Sequence, residues 1–205
     1  NNTFNCSMSA SKSYCRGNVL TMDGSNSYVH YSGIDLDDDP FSEEIWIYPT
    51  GWDNTVARQI DSDNAGGNPL RGIQLFNSDS GAGYENRISG LLRDDDGTVA
   101  YTSSSAAPVS DTWYHVVFVR SGTAGSNTFQ LYLNGVLDCN MEGAAAANVA
   151  AVNGIGGDRI GGSPEGAISW LGSIGPFRLY TKALGPEEVL QNFNAQRGRF
   201  VKYGL

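Results

Sequence analysis

The chain has 205 residues, a length that suits one β-sandwich domain able to bury its own core. Its 26 glycines and its few strong helix-forming runs favour many short strands joined by turns, so the predicted fold class is all-β. A net charge of -9 with 13 scattered Lys and Arg residues argues against a nucleic-acid partner, and no apolar run is long enough for insertion into a membrane.

The first 17 residues are rich in Ser and Asn and are predicted to form an arm or clasp rather than a strand of the core. Cys6 and Cys15 are close in sequence while Cys139 is distant, so a Cys6–Cys15 disulfide is the preferred pairing. That pairing indicates an oxidising compartment, and three reduced thiols in a cytosolic protein or a virion are the alternative. The predicted domain spans residues 18–200, followed by a tail at 201–205.

Alternating apolar residues predict strands along the chain after the arm. The strongest early strand runs from Phe41 to Tyr48, with Phe41, Ile45 and Ile47 on one face and Trp46 and Tyr48 on the other. Other strands are predicted at Val19–Met22, Ser27–Tyr31, Thr55–Ile60, Leu70–Phe76, Asn86–Leu92, Thr98–Tyr101, Arg159–Gly162 and Ile168–Tyr180. Asp96-Gly97 is a predicted hairpin turn, and the alanine-rich residues 142–153 fit either a helical turn or a loop.

A long hairpin over residues 111–138 is predicted at the centre of the fold. Apolar residues occupy both faces of its first strand, so that strand is expected in the middle of a sheet with a cover on each side. One face carries Trp113, His115, Val117 and Val119, and the other carries Tyr114, Val116 and Phe118. His115 and His30 are expected to be buried imidazoles rather than catalytic groups.

A helix is predicted from Pro186 to about Arg197, with the acidic residues Glu187 and Glu188 in its first turn. Gly198 is predicted to end it in the left-handed conformation. The apolar stripe expected to dock on a sheet consists of Val189, Leu190 and Phe193.

Three sets of segments together resemble the laminin G-like family of the concanavalin A-like lectin and glucanase superfamily. They are Val19–Val29 with Phe41–Pro49, Trp113–Val119 with Leu131–Gly135, and Ile160–Gly162 with Gly172–Tyr180, Lys182–Leu184 and the helical residues Glu187–Asn194. The resemblance implies a two-sheet antiparallel jelly-roll sandwich whose rim loops bind sugars, proteins or calcium in some relatives. Met22 and Gly185 depart from the pattern, where an aromatic residue and Ser are commoner.

Some members of that superfamily hydrolyse sugars with carboxylates spaced Glu-x-Asp-x-x-Glu on one strand. This sequence has no such strand, because Glu43 and Glu44 are adjacent and point to opposite faces, and Ile45, Trp46 and Ile47 follow them. The chain is therefore expected not to be an enzyme.

Clusters of aspartates are the candidate metal ligands, with calcium as the metal that oxygen ligands of this kind would hold. The candidates are Asp61 and Asp63 in one cluster and Asp94 and Asp96 in another. Aspartates also populate turns by hydrogen bonding to their own backbone, and we favour that interpretation for each cluster.

Four aromatic residues outside the best core patterns are candidates for stacking on sugar rings, namely Trp52, Tyr84, Tyr101 and Trp170. Trp52 ranks first because it follows Pro49-Thr50-Gly51 in a predicted loop, while Trp170 is also a candidate for the core.

The predicted function is a non-catalytic recognition or adhesion module that binds glycan or protein, extracellular or displayed on a cell or virion surface. The alternative is a structural subunit of a virion, tail fibre or extracellular filament that self-assembles through the arm or through strand edges.

Overall fold

The computed structural model describes residues 6–9, 18–25, 27–31, 36, 39–51, 58–62, 70–75, 86–94, 97–122, 127–141, 158–162 and 169–200. These residues form two antiparallel sheets and a C-terminal helix, α1 (Pro186–Phe200). The strands are β1 (Cys6–Ser9), β2 (Val19–Asp23), β3 (Val29–Tyr31), β4 (Phe41–Pro49), β5 (Arg58–Ser62), β6 (Leu70–Leu75), β7 (Ile88–Arg93), β8 (Val99–Ser103), β9 (Tyr114–Ser121), β10 (Thr128–Leu133), β11 (Val136–Met141), β12 (Asp158–Ile160) and β13 (Leu171–Tyr180). The predicted all-β sandwich is confirmed.

One sheet has seven strands in the order β1-β2-β13-β4-β9-β10-β11, and the other has six in the order β3-β12-β5-β6-β7-β8. The main core lies between them and consists of side chains from the inner faces of both sheets, such as Ile45 and Phe118 from one and Ile73 and Leu92 from the other. Gly90 shows how tight this packing is, because a methyl group on its Cα would overlap the ring of Phe118.

All nine residues of β4 are buried, because this strand is covered on both faces. Its inner residues Phe41, Ile45 and Ile47 join the main core, while Trp46 and Tyr48 join a second cluster beneath α1. The two-faced pattern predicted for this strand is confirmed.

The strand predicted to lie at the centre of a sheet is β9, which pairs with β4 on one side and β10 on the other. Val116 and Phe118 face the main core, whereas Val117 and Val119 pack beneath the segment that leads into α1. At the far end of β10 the turn at Asn134-Gly135 has φ of 53° and 82°, the left-handed pair that a two-residue reversal requires.

Helix α1 begins as predicted and ends later than predicted. The Gly185 N–H donates to Glu188 Oε2 at 3.0 Å, which is half of a capping box. Gly198 lies inside the helix rather than ending it, because Phe200, two residues later, is buried against Trp46 with ring centroids 4.4 Å apart. Packing thus overrides the preference of glycine for helix ends.

The buried face of α1 differs from the predicted stripe at one position. Leu190 is 45% exposed, and the residues that face the sheet are Val189, Phe193, Gln196 and Phe200. Their spacing follows the helical repeat, so one row of side chains lies on the sheet.

One further expectation differs from the structure. Cys6–Ser9, expected in an arm outside the core, pairs in antiparallel register with β2 and forms an edge of the seven-stranded sheet. An edge strand has neighbours on one side only, so a polar sequence can occupy it. The irregularity expected near Gly175-Pro176 is confirmed as a register shift between Ile174 and Phe177, and residues 142–153 lie outside the described residues.

Candidate functional site

The outer face of the seven-stranded sheet is occupied by the C-terminal segment, and alternate residues of β4 hold it there. Ser42 Oγ donates to the Lys182 carbonyl at 2.9 Å and accepts the Leu184 N–H at 2.8 Å. Two residues further along β4 Glu44 contacts α1, and Trp46 stacks on Phe193 and Phe200.

Glu44 is fully buried beneath α1, and each of its carboxylate oxygens accepts two hydrogen bonds. Arg178 Nη1 at 2.7 Å and Gln196 Nε2 at 2.9 Å donate to Oε1, while the Tyr180 hydroxyl and Asn192 Nδ2, both at 2.8 Å, donate to Oε2. His115 Nε2 lies 3.3 Å from Oε1.

Burial by itself raises the pKa of Glu44, but the contact with His115, the hydrogen bond from Tyr180 and the charge of Arg178 lower that pKa to about 2. The pKa of Tyr180 is raised to about 12, because the phenol is partly buried and donates to this carboxylate. Glu44 is therefore an ionised anchor for α1 and is unsuited to donate a proton as a general acid.

Glu43 points the other way and is buried between the sheets, where it forms an ion pair with Arg71 of β6. The Arg71 guanidinium also lies 5.6 Å from the centroid of the Phe41 ring. Glu43 is thus held by a buried cation and Glu44 by a set of donors, on opposite faces of the strand, so they do not form the closely spaced pair that sugar hydrolysis needs.

The six-stranded sheet turns its other face away from the core, and none of the described helices or strands lies on it. Backbone pairing aligns one row of residues across the whole sheet, formed by His30, Arg159, Ser62, Gly72, Leu91 and Tyr101. Ile160, Ile73 and Leu92 are core residues, and each directly follows one residue of this row. Because neighbouring residues of a strand point to opposite faces, Arg159, Gly72 and Leu91 belong to the outer face.

The accessible part of this outer face lies towards its two ends. Leu91 and Ser89 on β7 are buried, whereas Tyr101 and Ser103 on the edge strand β8 are partly exposed. Ser89 and Ser103 share a hydrogen bond of 2.6 Å between their hydroxyls. At this end the outer face thus combines an aromatic ring with hydroxyl groups, which suits contact with a sugar.

Arg159 lies near the opposite end of the row, next to His30 on the edge strand β3, and is partly exposed, with its guanidinium 4.6 Å from the centroid of the Tyr28 ring. Its Nε and Nη1 atoms are shielded from water and have no hydrogen-bond partner among the described residues. This residue was not among the predicted site residues, although an Arg directly before the buried Ile160 of a short strand was the available signal.

Of the four aromatic candidates, the structure describes two. Tyr101 lies on the outer face of β8, half-buried. Trp170 is 1% exposed in the main core, so its candidacy for stacking on sugar is wrong and its alternative prediction as a core residue is right. Trp52 and Tyr84 lie outside the described residues.

Among the proposed metal ligands, Asp94 is buried where β7 turns into β8, and its Oδ1 accepts the Thr98 N–H at 2.7 Å. That contact is the turn interpretation favoured above. Asp61 is placed in β5 by its backbone, while Asp63 and Asp96 lie outside the described residues. No group of three His, Cys, Asp or Glu residues suited to a metal occurs in the described part of the chain.

The cysteine prediction stays a prediction, since Cys15 lies outside the described residues. Cys139, on β11, is a free thiol of intermediate exposure.

Membrane insertion was not expected from the sequence. Within the described ranges, the helical structure lacks the length and apolar character that crossing a membrane would require.

Several solved structures share this fold. A pentraxin from Limulus polyphemus is 18% identical with a TM-score of 0.56, and the match covers 83% of this chain and 76% of the pentraxin. A putative carbohydrate binding protein from Bacteroides ovatus is 14% identical with a TM-score of 0.61, covering 82% of this chain and 45% of that one. The ligand binding domain of botulinum neurotoxin serotype D, solved with N-acetylneuraminic acid, is 14% identical with a TM-score of 0.70, and the match covers 97% of this chain and 48% of that one.

This chain therefore spans just under half the length of the last two structures. Comparison with curated proteins gave no match. The sequence profile of the laminin G 3 family, described as the concanavalin A-like lectin/glucanases superfamily, matches residues 23–190. Since that interval is most of the chain, the protein belongs to the laminin G-like family of this superfamily.

Proposed function

We propose that this chain is a non-catalytic recognition module that binds glycan at the β8 end of the outer face of the six-stranded sheet and through the loops beside it. One observation carries the proposal: α1 and its anchors occupy the outer face of the seven-stranded sheet, whereas Tyr101 and Ser103 on the outer face of β8, in the six-stranded sheet, are partly exposed. The similar structures named for a carbohydrate binding protein and for a complex with N-acetylneuraminic acid support it.

The absence of catalysis is part of the proposal. Glu43 pairs with the buried Arg71, and Glu44 accepts hydrogen bonds from side chains of β13 and α1, on opposite faces of β4. A secreted or surface-displayed location, stacking by Trp52 and Tyr84, and calcium binding near Asp61 and Asp63 remain predictions of the same kind.

A self-assembling structural subunit is the second candidate, and β11 is the observation in its favour. This strand lies at the end of the seven-stranded sheet, and its residues Val136 and Leu137 are 66% and 43% exposed. Apolar side chains on a sheet edge favour pairing with another strand.

The test measures the mass of the protein in solution by light scattering and then its binding to an array of neutral and acidic oligosaccharides. We expect a monomer that binds at least one oligosaccharide, with affinity reduced about tenfold in Tyr101→Ala because an aromatic contact is lost. Leu190→Ala removes an exposed apolar side chain on α1 and serves as the control with unchanged affinity. A stable oligomer that binds no oligosaccharide on the array would favour the second candidate.

A further inference from the structure

We propose that Asp138 is a positioning residue of the glycan site, and that the segment it holds, residues 104–110, contacts the second sugar of an oligosaccharide. These residues are called the rim segment below. The inference rests on the proposed function and specifies the length of the ligand. It is carried by the continuity of the rim segment with β8, by the hydrogen bonds that fix it and by the irregular pairing of β11 at Asp138.

The rim segment continues β8 past its last residue, Ser103. The Ser104 N–H donates to the Ile88 carbonyl at 2.7 Å, so the pairing persists for one residue beyond the strand. Tyr101 and Ser103 are partly exposed and Ser105 is exposed, so a ligand can follow the chain from the aromatic ring to the rim segment. Four residues separate Tyr101 from Ser105, roughly 14 Å at about 3.4 Å per residue. A single sugar ring cannot span that distance, so the ligand that touches both is an oligosaccharide.

The rim segment presents small apolar side chains to solvent. Ala106 and Ala107 are exposed, and Val109 is 63% exposed. Sugar rings have apolar C–H faces, and N-acetyl groups carry a methyl group. Sites for small ligands combine such apolar contacts with a few polar groups, which Ser89 and Ser103 supply at this end of the sheet.

Hydrogen bonds to neighbouring parts of the fold fix both ends of the rim segment. Arg87 Nη1, just before β7, donates to the Ser104 carbonyl at 2.6 Å. The Tyr114 hydroxyl, on β9, accepts the Val109 N–H at 2.8 Å. A segment that is ordered in advance loses less conformational freedom when a ligand binds, so these contacts raise affinity without touching the ligand.

Asp138 holds the segment between those two points. Its Oδ2 accepts the Ser105 N–H at 2.6 Å, and its Oδ1 accepts the Ser105 hydroxyl at 2.9 Å. Asp138 belongs to β11 at one end of the seven-stranded sheet, whereas Ser105 follows β8 at one end of the six-stranded sheet. A single carboxylate thus ties the two sheets together beside the proposed glycan site.

A β-bulge in β11 accounts for the direction of this side chain. Leu131 lies opposite Cys139 and Tyr132 lies opposite Leu137, so Asp138 is an extra residue without a partner in the β10 register. Bulges of this kind bend an edge strand and redirect a side chain. Regular pairing is therefore interrupted at the residue that holds Ser105.

The experiment measures, by NMR titration, the affinity of the purified chain for single sugars and for longer sugars that contain them. Methyl galactoside is compared with lactose, N-acetyllactosamine and sialyllactose, and methyl glucoside with maltotriose and cellotriose. Asp138→Ala should weaken binding of the longer sugars about threefold to tenfold, because the ligand must then order the rim segment itself. Binding of the single sugars should weaken less, because they do not reach the rim segment.

Graded variants test the same contact. Asp138→Asn keeps one acceptor oxygen and should give a smaller loss than Asp138→Ala. Ser105→Thr keeps both donors and should retain most of the affinity, whereas Ser105→Ala loses the hydroxyl and should lose part of it. The matched control is Asp111→Asn, at an exposed residue of the same β8–β9 connection whose φ of 61° Asn also adopts. Its affinities should equal those of the unchanged protein.

Hydrogen exchange followed by mass spectrometry gives a measurement that does not depend on any sugar. Peptides covering the rim segment should exchange faster in Asp138→Ala than in the unchanged protein, while peptides from β9 should not. Because the contact with Ser105 lies at the surface, the melting temperature should change by less than about 4 °C.

Equal weakening of single and longer sugars in Asp138→Ala would overturn the positioning role and leave the proposed function standing. Undiminished binding of the longer sugars by that variant, or unchanged exchange of its rim segment, would overturn the positioning role as well. If the unchanged protein binds none of these sugars and no oligosaccharide on the array, the proposed function fails and the positioning role fails with it.

Discussion

Glu44 shows how a single residue can fasten a helix to a sheet. Its carboxylate receives donors from β13 and α1, the elements on either side of the Lys182–Leu184 segment. Because all of these donors are near or beneath α1, loss of the carboxylate leaves several polar groups without their acceptor at once.

Glu44→Gln is predicted to lower the free energy of unfolding by about 3 kcal/mol, the order expected for breaking a buried charged contact. For a chain of this size the melting temperature should fall by roughly 6–12 °C. Glu187→Gln makes the same chemical change at an exposed position in the first turn of α1 and should cost under about 1 kcal/mol.

The pH dependence of this loss follows from the lowered pKa of Glu44. In the unfolded chain the group titrates near 4.5, and in the folded protein near 2, so its stabilisation is complete above about pH 4.5 and is lost as the pH falls towards 2. Denaturant unfolding at a series of pH values should therefore show that the difference in free energy of unfolding between the unchanged protein and Glu44→Gln shrinks over that interval. A gap that stays constant down to pH 2 would contradict the assignment.

At the scale of the element, α1 is capped incompletely at its start. Glu188 accepts the Gly185 N–H, but glycine has no side chain to return a hydrogen bond to the helix. A Cβ at Gly185 would have no neighbour closer than 3.9 Å, so the position has room for a larger residue.

Gly185→Ser is predicted to raise the free energy of unfolding by about 0.5 kcal/mol, since it completes the capping box and reduces the freedom of the unfolded chain. Gly135→Ser provides the contrast, because Gly135 has a φ of 82° and a Cβ there would lie 3.0 Å from Phe193. That substitution should destabilise by about 1–2 kcal/mol. Thermal unfolding of the two variants should therefore shift in opposite directions.

Prediction of the elements from sequence succeeded where apolar residues recur at regular spacing along one face of a strand or helix. The two faces of β4 and β9 and the first turn of α1 follow from alternation and capping alone. What covers each face could not be predicted, because the hydrogen-bond donors to Glu44 lie more than 130 residues away along the chain. For the same reason Gly198 was expected to end α1, although the burial of Phe200 extends it.

The candidate site was only partly predictable. Tyr101 was singled out as an aromatic outside the core patterns, but Trp170 met the same criterion and is buried, because one sequence does not show which strand end enters the core. The place of Arg159 in the same cross-strand row as Tyr101 was not predicted, since it depends on the register of β12 with β5. Register is a property of the assembled sheet.

For the whole molecule, stability should be distributed from the middle of the seven-stranded sheet outwards. β4, β9 and β13 are paired on both sides, whereas β1 and β11 are the outer strands of that sheet. Backbone amides at the centre can exchange only when the whole structure opens, while those at an edge exchange through local openings.

Hydrogen exchange followed by mass spectrometry should therefore find peptides from β4 and β9 the slowest and those from β11 much faster. Adding denaturant should accelerate β4 and β9 together, as a single cooperative unit. Faster exchange in β4 than in β11 would show that the sheet does not open from its edges.

The pairing of β4 with β13 also bears on how the protein is made. On the ribosome β4 emerges early, but the strand that covers one of its edges ends at Tyr180, more than 120 residues later. Until then the nascent chain carries an apolar strand with an open edge, the kind of intermediate that aggregates or recruits chaperones. Synthesis must run almost to α1 before the sheet can close, so folding is expected to be late and all at once rather than progressive.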